Sequence, residues 1–170
     1  MGLSLRKARS FIILLSGLAA VVLNHNLDGY SAMFGVTLVV AALTSILHIF
    51  IYFDKPMNQK LLMELFLDGF SGVTIFTYTA SDEGFFLTVF AFWSFIYGLF
   101  YLTSGLLDKE NKSFLPFYTL VGLVMMVFGY MSLHFNDESL GSVIYLIGFA
   151  LIIYSSANLY LLFKRKRDVY

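Results

Sequence analysis

Six long apolar stretches alternate with short polar turns along this 170-residue chain. They lie at about 10–26, 30–53, 61–80, 85–107, 114–135 and 140–163, near the roughly 20 residues an α-helix needs to cross a bilayer's hydrocarbon core. The pattern predicts an all-α integral membrane protein with six transmembrane helices. The first stretch is the shortest, because Asn24, His25 and Asn26 cut into its far end. Local bilayer thinning or snorkelling of Arg9 would accommodate it. Arg6 to Arg9 followed by Phe11–Leu23 also has the outline of a secretory leader, but no A-x-A pattern follows, so a retained first helix is expected.

Charge gives the stretches a direction. The eleven basic residues are Arg6, Lys7, Arg9, Lys55, Lys60, Lys109, Lys112, Lys164, Arg165, Lys166 and Arg167. They form four clusters separated by two apolar stretches each, and the turns inside each pair hold none. Cytoplasmic loops collect Lys and Arg, so an even number of spans with both termini cytoplasmic is expected. The opposite turns carry Asp28, Asp82, Glu83, Asp137 and Glu138 with no basic residue to offset them. Hydrophobic residues make up 59% of the chain and charged ones 13%, about half the share usual in soluble domains. No inter-span segment is long enough for a soluble catalytic domain, so the chain reads as one membrane domain, 1–170, with a basic tail at 164–170. Zero cysteines exclude disulfides and thiolate chemistry. The basic clusters read as topology signals and membrane-surface contacts, not as a nucleic-acid footprint.

Internal repetition adds architecture. Each acidic turn precedes a glycine, in Asp28-Gly29, Asp82-Glu83-Gly84 and Asp137-Glu138-Ser139-Leu140-Gly141, and these glycines are 55 and 57 residues apart. Small residues then recur at intervals of about seven: Gly35 and Ala42, then Ala91, Gly98 and Gly105, then Gly148 and Ser155, with Gly122 and Gly129 on the fifth helix. Seven residues return to nearly the same helical face. In lipid, such smooth stripes let backbones approach closely, so these nine residues are the candidate helix-packing positions. The fold expected is three repeated antiparallel hairpins, at about 10–53, 61–107 and 114–163.

The hairpin repeat, the glycine-bearing segments Leu120-Val121-Gly122-Leu123 and Leu146-Ile147-Gly148-Phe149, and the basic tail together resemble the HdeD-like acid-resistance membrane proteins. The resemblance covers about residues 10–163. It implies a small bacterial inner-membrane protein connected with survival in acid, without enzymatic activity.

Few residues could carry chemistry. Glu64 and Asp68 are the carboxylates inside a predicted span, four residues apart and hence on one helix face. His48 and Asn158 lie at similar depth on the second and sixth helices, with Ser45, Ser104 and Ser155 as possible extensions of a polar patch. A charge at mid-bilayer costs about 2.5–3.5 kcal/mol, so such groups face protein or water. His48, Glu64, Asp68 and Asn158 are therefore the candidate cluster. It would either bind and relay protons or lock helices two, three and six; alternatively, Glu64 would snorkel while paired with Lys60. His25 and His134 flank the acidic turns, where the ordinary consequence of keeping Lys and Arg inside suffices as explanation. Asn111-Lys112-Ser113 has the glycosylation pattern but falls on the cytoplasmic side. Trp93, midway along the fourth helix, should fill space against a glycine stripe and donate its N–H to a hydroxyl such as Ser94. No metalloprotease, nucleophile-elbow, Walker or dinucleotide pattern occurs, so no catalytic, metal or cofactor site is expected.

The chain thus reads as a non-enzymatic acid-resistance or envelope-stress protein whose partners are the bilayer, its own copies or other membrane proteins. Two alternatives stand beside this reading. One is a small proton-coupled transporter or channel, although Pro56 and Pro116 fall in or beside loops and interrupt no helix. The other is a structural partner in a membrane complex.

Overall fold

The computed structural model describes residues 2–22, 27–52, 59–78, 83–107, 112–134 and 140–164. These form six α-helices: α1 Gly2–Val22, α2 Leu27–Ile51, α3 Gln59–Thr77, α4 Glu83–Leu107, α5 Leu115–Leu133 and α6 Leu140–Lys164. A 3₁₀ turn, Lys112–Phe114, leads into α5, where Pro116 in the first turn lacks an N–H that the helix could not have used. At the other end of α5, the His134 N–H donates to Met131 O at 3.1 Å. His25, Asp82, Asp137, Glu138, Pro56, Lys55, Lys109, Asn111 and Arg165–Arg167 lie outside the described residues, as do the side chains of Asp28, Lys60 and Glu83.

Among the described residues, four helices are long and apolar enough to cross a membrane, at Gly29–Ile51, Gly84–Leu107, Lys112–Leu133 and Ser142–Lys164, as expected of a multi-pass membrane protein. The other two helices carry charge within their apolar runs, α1 Arg6, Lys7 and Arg9, and α3 Glu64 and Asp68. α1 also begins earlier than the apolar pattern indicates, at Gly2 in place of about residue 10, because Arg6 and Arg9 are absorbed into the bundle.

The helices pack in a closed circuit. Each touches the next in sequence, and α6 returns to pack against α1. The most extensive contacts are α4 on α5, α1 on α6 and α2 on α3, each made at a close crossing of small residues. A Cβ placed on Gly17 would come within 2.9 Å of Gly148 O, one on Gly72 within 2.9 Å of Gly35 O, and one on Gly129 within 2.9 Å of Ala91 O. These crossings are related by the repeat: Gly17, Gly72 and Gly129 are 55 and 57 residues apart, and Gly35, Ala91 and Gly148 are 56 and 57 apart. A second α4–α5 approach lies seven residues along, where a Cβ on Gly98 would meet Gly122 O at 2.7 Å. Gly105 abuts Tyr118, and Ala42 lies 3.7 Å from the Cβ position of Gly69. Ser155 is buried and bonds its own helix at Leu151 O, 2.6 Å away.

The same period governs the core. Phe34, Phe90 and Ile147 occupy equivalent positions on α2, α4 and α6, and all are fully buried. Two turns further on, Ala41, Tyr97 and Tyr154 form the next such layer. Edge-to-face contacts join Phe34 to Trp93 at 5.9 Å and Trp93 to Tyr154 at 5.3 Å between ring centroids. The large exposed side chains, such as Phe50, Phe66, Phe70 and Leu106, point away from this core.

Candidate functional site

In the second of these layers the core turns polar. Arg9 is 4% exposed and Asp68 is wholly buried. Arg9 Nη2 and Nε donate to Asp68 Oδ2 at 2.6 and 3.0 Å. Nη2 also reaches the hydroxyls of Tyr97 at 2.7 Å and Tyr154 at 3.1 Å. The other carboxylate oxygen, Oδ1, accepts from Trp93 Nε1 at 3.0 Å and from the Tyr97 hydroxyl at 2.8 Å. One carboxylate thus joins α1, α3 and α4, and its guanidinium partner adds α6. A buried charge is tolerable when paired and hydrogen-bonded in this way.

One turn nearer the N-terminal end, Arg6 Nη2 donates to Glu64 at 3.2 Å, and Arg9 Nη1 lies 3.8 Å from Glu64 Oε2. Both Arg6 and Glu64 are buried. Two guanidinium and two carboxylate charges therefore neutralise each other inside the bundle.

This arrangement changes three readings taken from the sequence. Arg6 and Arg9 stand inside the core, since each finds a carboxylate that offsets its loss of water, and so Arg9 does not snorkel. Glu64 does not snorkel: it is 1% exposed and bonded to α1. Trp93 gives its N–H to Asp68 and not to a hydroxyl, while Ser94 donates to Met125 O across the α4–α5 crossing at 2.7 Å.

The four candidate residues are only partly brought together. Glu64 and Asp68 share the ion network. His48 lines a narrow cleft with Glu64, Arg6, Arg9, Thr44 and Ser45, and its ring lies 4.9 Å from that of Tyr52. Asn158 stands apart and accepts from the Tyr101 hydroxyl at 2.7 Å. Of the three serines, Ser45 lines the same cleft as His48 and Glu64, and each of the three hydroxyls bonds a carbonyl of its own helix. Among the described residues no group of three His, Asp or Glu could hold a metal.

Sequence reasoning passed over Arg6, Arg9, Tyr97, Tyr154, Gly17 and Gly72. A signal for Arg9 existed: Arg9 and Glu64 are 55 residues apart, so opposite charges occupy one position of the repeat. Tyr97 and Tyr154 are likewise one period apart, at 57 residues.

A family described as a short repeat of unknown function (DUF308), which includes HdeD-like membrane proteins, matches residues 120–169. That segment takes in most of α5 and all of α6, close to one period of the repeat. No curated protein and no solved structure gives a significant match.

Proposed function

We propose that this chain is a small protein of the bacterial inner membrane that crosses it six times as three repeated hairpins, with both termini cytoplasmic. It acts in acid resistance or envelope-stress tolerance of the HdeD-like type, without catalysing a reaction. The observation that carries the six-span reading is the mutual neutralisation of α1 and α3. Alone, either helix would bring unpaired charge into hydrocarbon at a cost of about 2.5–3.5 kcal/mol for each central residue. Together, Arg6 and Arg9 meet Glu64 and Asp68, and both helices become compatible with the bilayer. The 55- and 57-residue spacing of the helix crossings, and a short-repeat match confined to one period, support the hairpin repeat and the HdeD-like class.

The absence of native cysteine makes the topology directly measurable. Single substitutions Asn26→Cys and Ser81→Cys should react with an impermeant maleimide in spheroplasts. Asn58→Cys and Asn111→Cys should react only after lysis. Labelling of Asn58→Cys from outside would sink the arrangement. For the biological part, a deletion strain should lose survival at low pH and regain it with the wild-type gene; unchanged survival would remove the acid-resistance role and leave the topology untouched.

A further inference from the structure

Buried polar groups are nearly always hydrogen-bonded, so exceptions point to something the fold accommodates. Three hydroxyls on α1, α2 and α3 are exceptions among the described residues: Ser16, Tyr30 and Ser71 make no hydrogen bond, at 5%, 6% and 0% exposure. A serine inside a helix ordinarily bonds the carbonyl one turn back, as Ser45, Ser104 and Ser155 do. Ser16 and Ser71 do not, and they are equivalent positions, 55 residues apart. The Ser16 and Tyr30 hydroxyls face each other without completing a bond.

Their placement is ordered. Ser71 lies three residues beyond Asp68, one turn along the same face of α3, or about 4.5 Å. Ser16 lies seven residues beyond Arg9 on the same face of α1, about 10.5 Å along. Tyr30 stands within one turn of the start of α2, and His48 within one turn of its end. Eighteen residues separate them, five full turns, so they share a face and stand about 27 Å apart, close to the thickness of the hydrocarbon core. Between these two ends the polar groups succeed one another: Tyr30 and Ser16, then Ser71, then Asp68 with Arg9, then Glu64 with Arg6, then the cleft that His48 lines.

We propose that α1, α2 and α3 enclose a proton path carried on buried water, in which the Arg9–Asp68 pair is the selective element. Buried water binds where two to four polar partners converge, and the three unpartnered hydroxyls supply such partners on the side away from the N-terminus. A proton arriving on water beside Ser71 is taken by an oxygen of Asp68, which loosens the grip of Arg9. It passes to Glu64 and leaves on the side of the bundle where His48 stands. One proton enters and one leaves, with no further reactant. A metal cation cannot replace the proton on the carboxylate without meeting Arg9 and Arg6. Trp93, Tyr97 and Tyr154 close the remaining sides of Asp68 and Arg9, which keeps the site narrow. The inference rests on the six-span reading, which the cysteine-labelling experiment tests by itself.

The test uses the purified full chain in phosphatidylethanolamine–phosphatidylglycerol vesicles with an internal pH dye. Potassium efflux through valinomycin makes the interior negative. Acidification should run several-fold faster than in protein-free vesicles and should not depend on external sodium. Asp68→Asn should abolish the excess. Because that variant also breaks the ion network, Ser71→Ala and Tyr30→Phe provide an independent arm. They remove hydroxyls that hold no protein hydrogen bond, so the fold should persist while flux falls several-fold. Wild-type flux equal to that of protein-free vesicles overturns the path. So does full wild-type flux in the Ser71→Ala/Tyr30→Phe double variant.

Discussion

Arg9 and Asp68 meet at 2.6 Å across 59 positions of sequence, on two helices whose backbones otherwise approach each other very little. The contact makes α1 and α3 interdependent. Replacing one partner leaves the other as an uncompensated buried charge, a loss of about 3–5 kcal/mol. Arg9→Met should therefore destabilise the detergent-solubilised protein by that amount, read from its thermal unfolding. The double variant Arg9→Met/Asp68→Leu should recover most of the loss. If the double variant is as unstable as the sum of its single changes, the pair is not the tie described.

Trp93 is the sole tryptophan, is fully buried and donates to Asp68. Its emission should be blue-shifted and shielded from soluble quenchers. Trp93→Phe and Tyr97→Phe each remove a donor to the same oxygen, a bond to a charged group worth about 1.5–3 kcal/mol. Two donors to one atom are coupled, so the double variant should lose measurably more or less than the sum. Strict additivity in a double-mutant cycle would contradict a shared acceptor.

The crossing glycines can be ranked before any experiment. A Cβ on Gly72 would come within 2.8 Å of Val39 N, and one on Gly17 within 2.9 Å of both Gly148 O and Leu151 Cβ. Because backbone cannot yield as a flexible side chain does, Gly17→Val and Gly72→Val should each cost about 1–3 kcal/mol by overpacking. Gly29 is exposed on α2 with nothing within 4 Å, and Gly29→Ala should stabilise by about 1 kcal/mol through helix propensity alone. Melting temperatures moving in opposite directions would verify the ranking.

Serines that look alike in the sequence should differ. Ser94 bonds a carbonyl of α5, so Ser94→Ala removes an interhelical hydrogen bond of about 1 kcal/mol. Ser155 bonds only its own helix, and Ser155→Ala should change stability by less than about 0.5 kcal/mol. Equal effects in a urea or dodecyl sulfate titration would contradict this distinction.

The apolar runs announced the helices, because a period-free stretch of about 20 apolar residues has few other uses. The spacing of Gly35, Ala91 and Gly148 also announced where three helices would be approached. What approaches them was harder to see. Gly17 and Gly72 are each the mate of a partner more than 35 positions away. The ion network was half legible. Glu64 and Asp68 stand out in an apolar run, whereas a basic residue near a chain end is the ordinary mark of the cytosolic side and gives no hint of burial. Separating the two uses of arginine required knowing that α1 and α3 run in the same direction, so that positions 6 and 9 line up with 64 and 68.

The return of α6 to α1 makes the circuit independent of where the polypeptide starts. Lys7 lies 4.0 Å over the ring of Phe163, so the first and last helices meet at the same edge of the bundle. A linker joining them, with new ends opened between α2 and α3 or between α4 and α5, would preserve all three small-residue crossings. A circularly permuted gene should therefore still yield a folded protein.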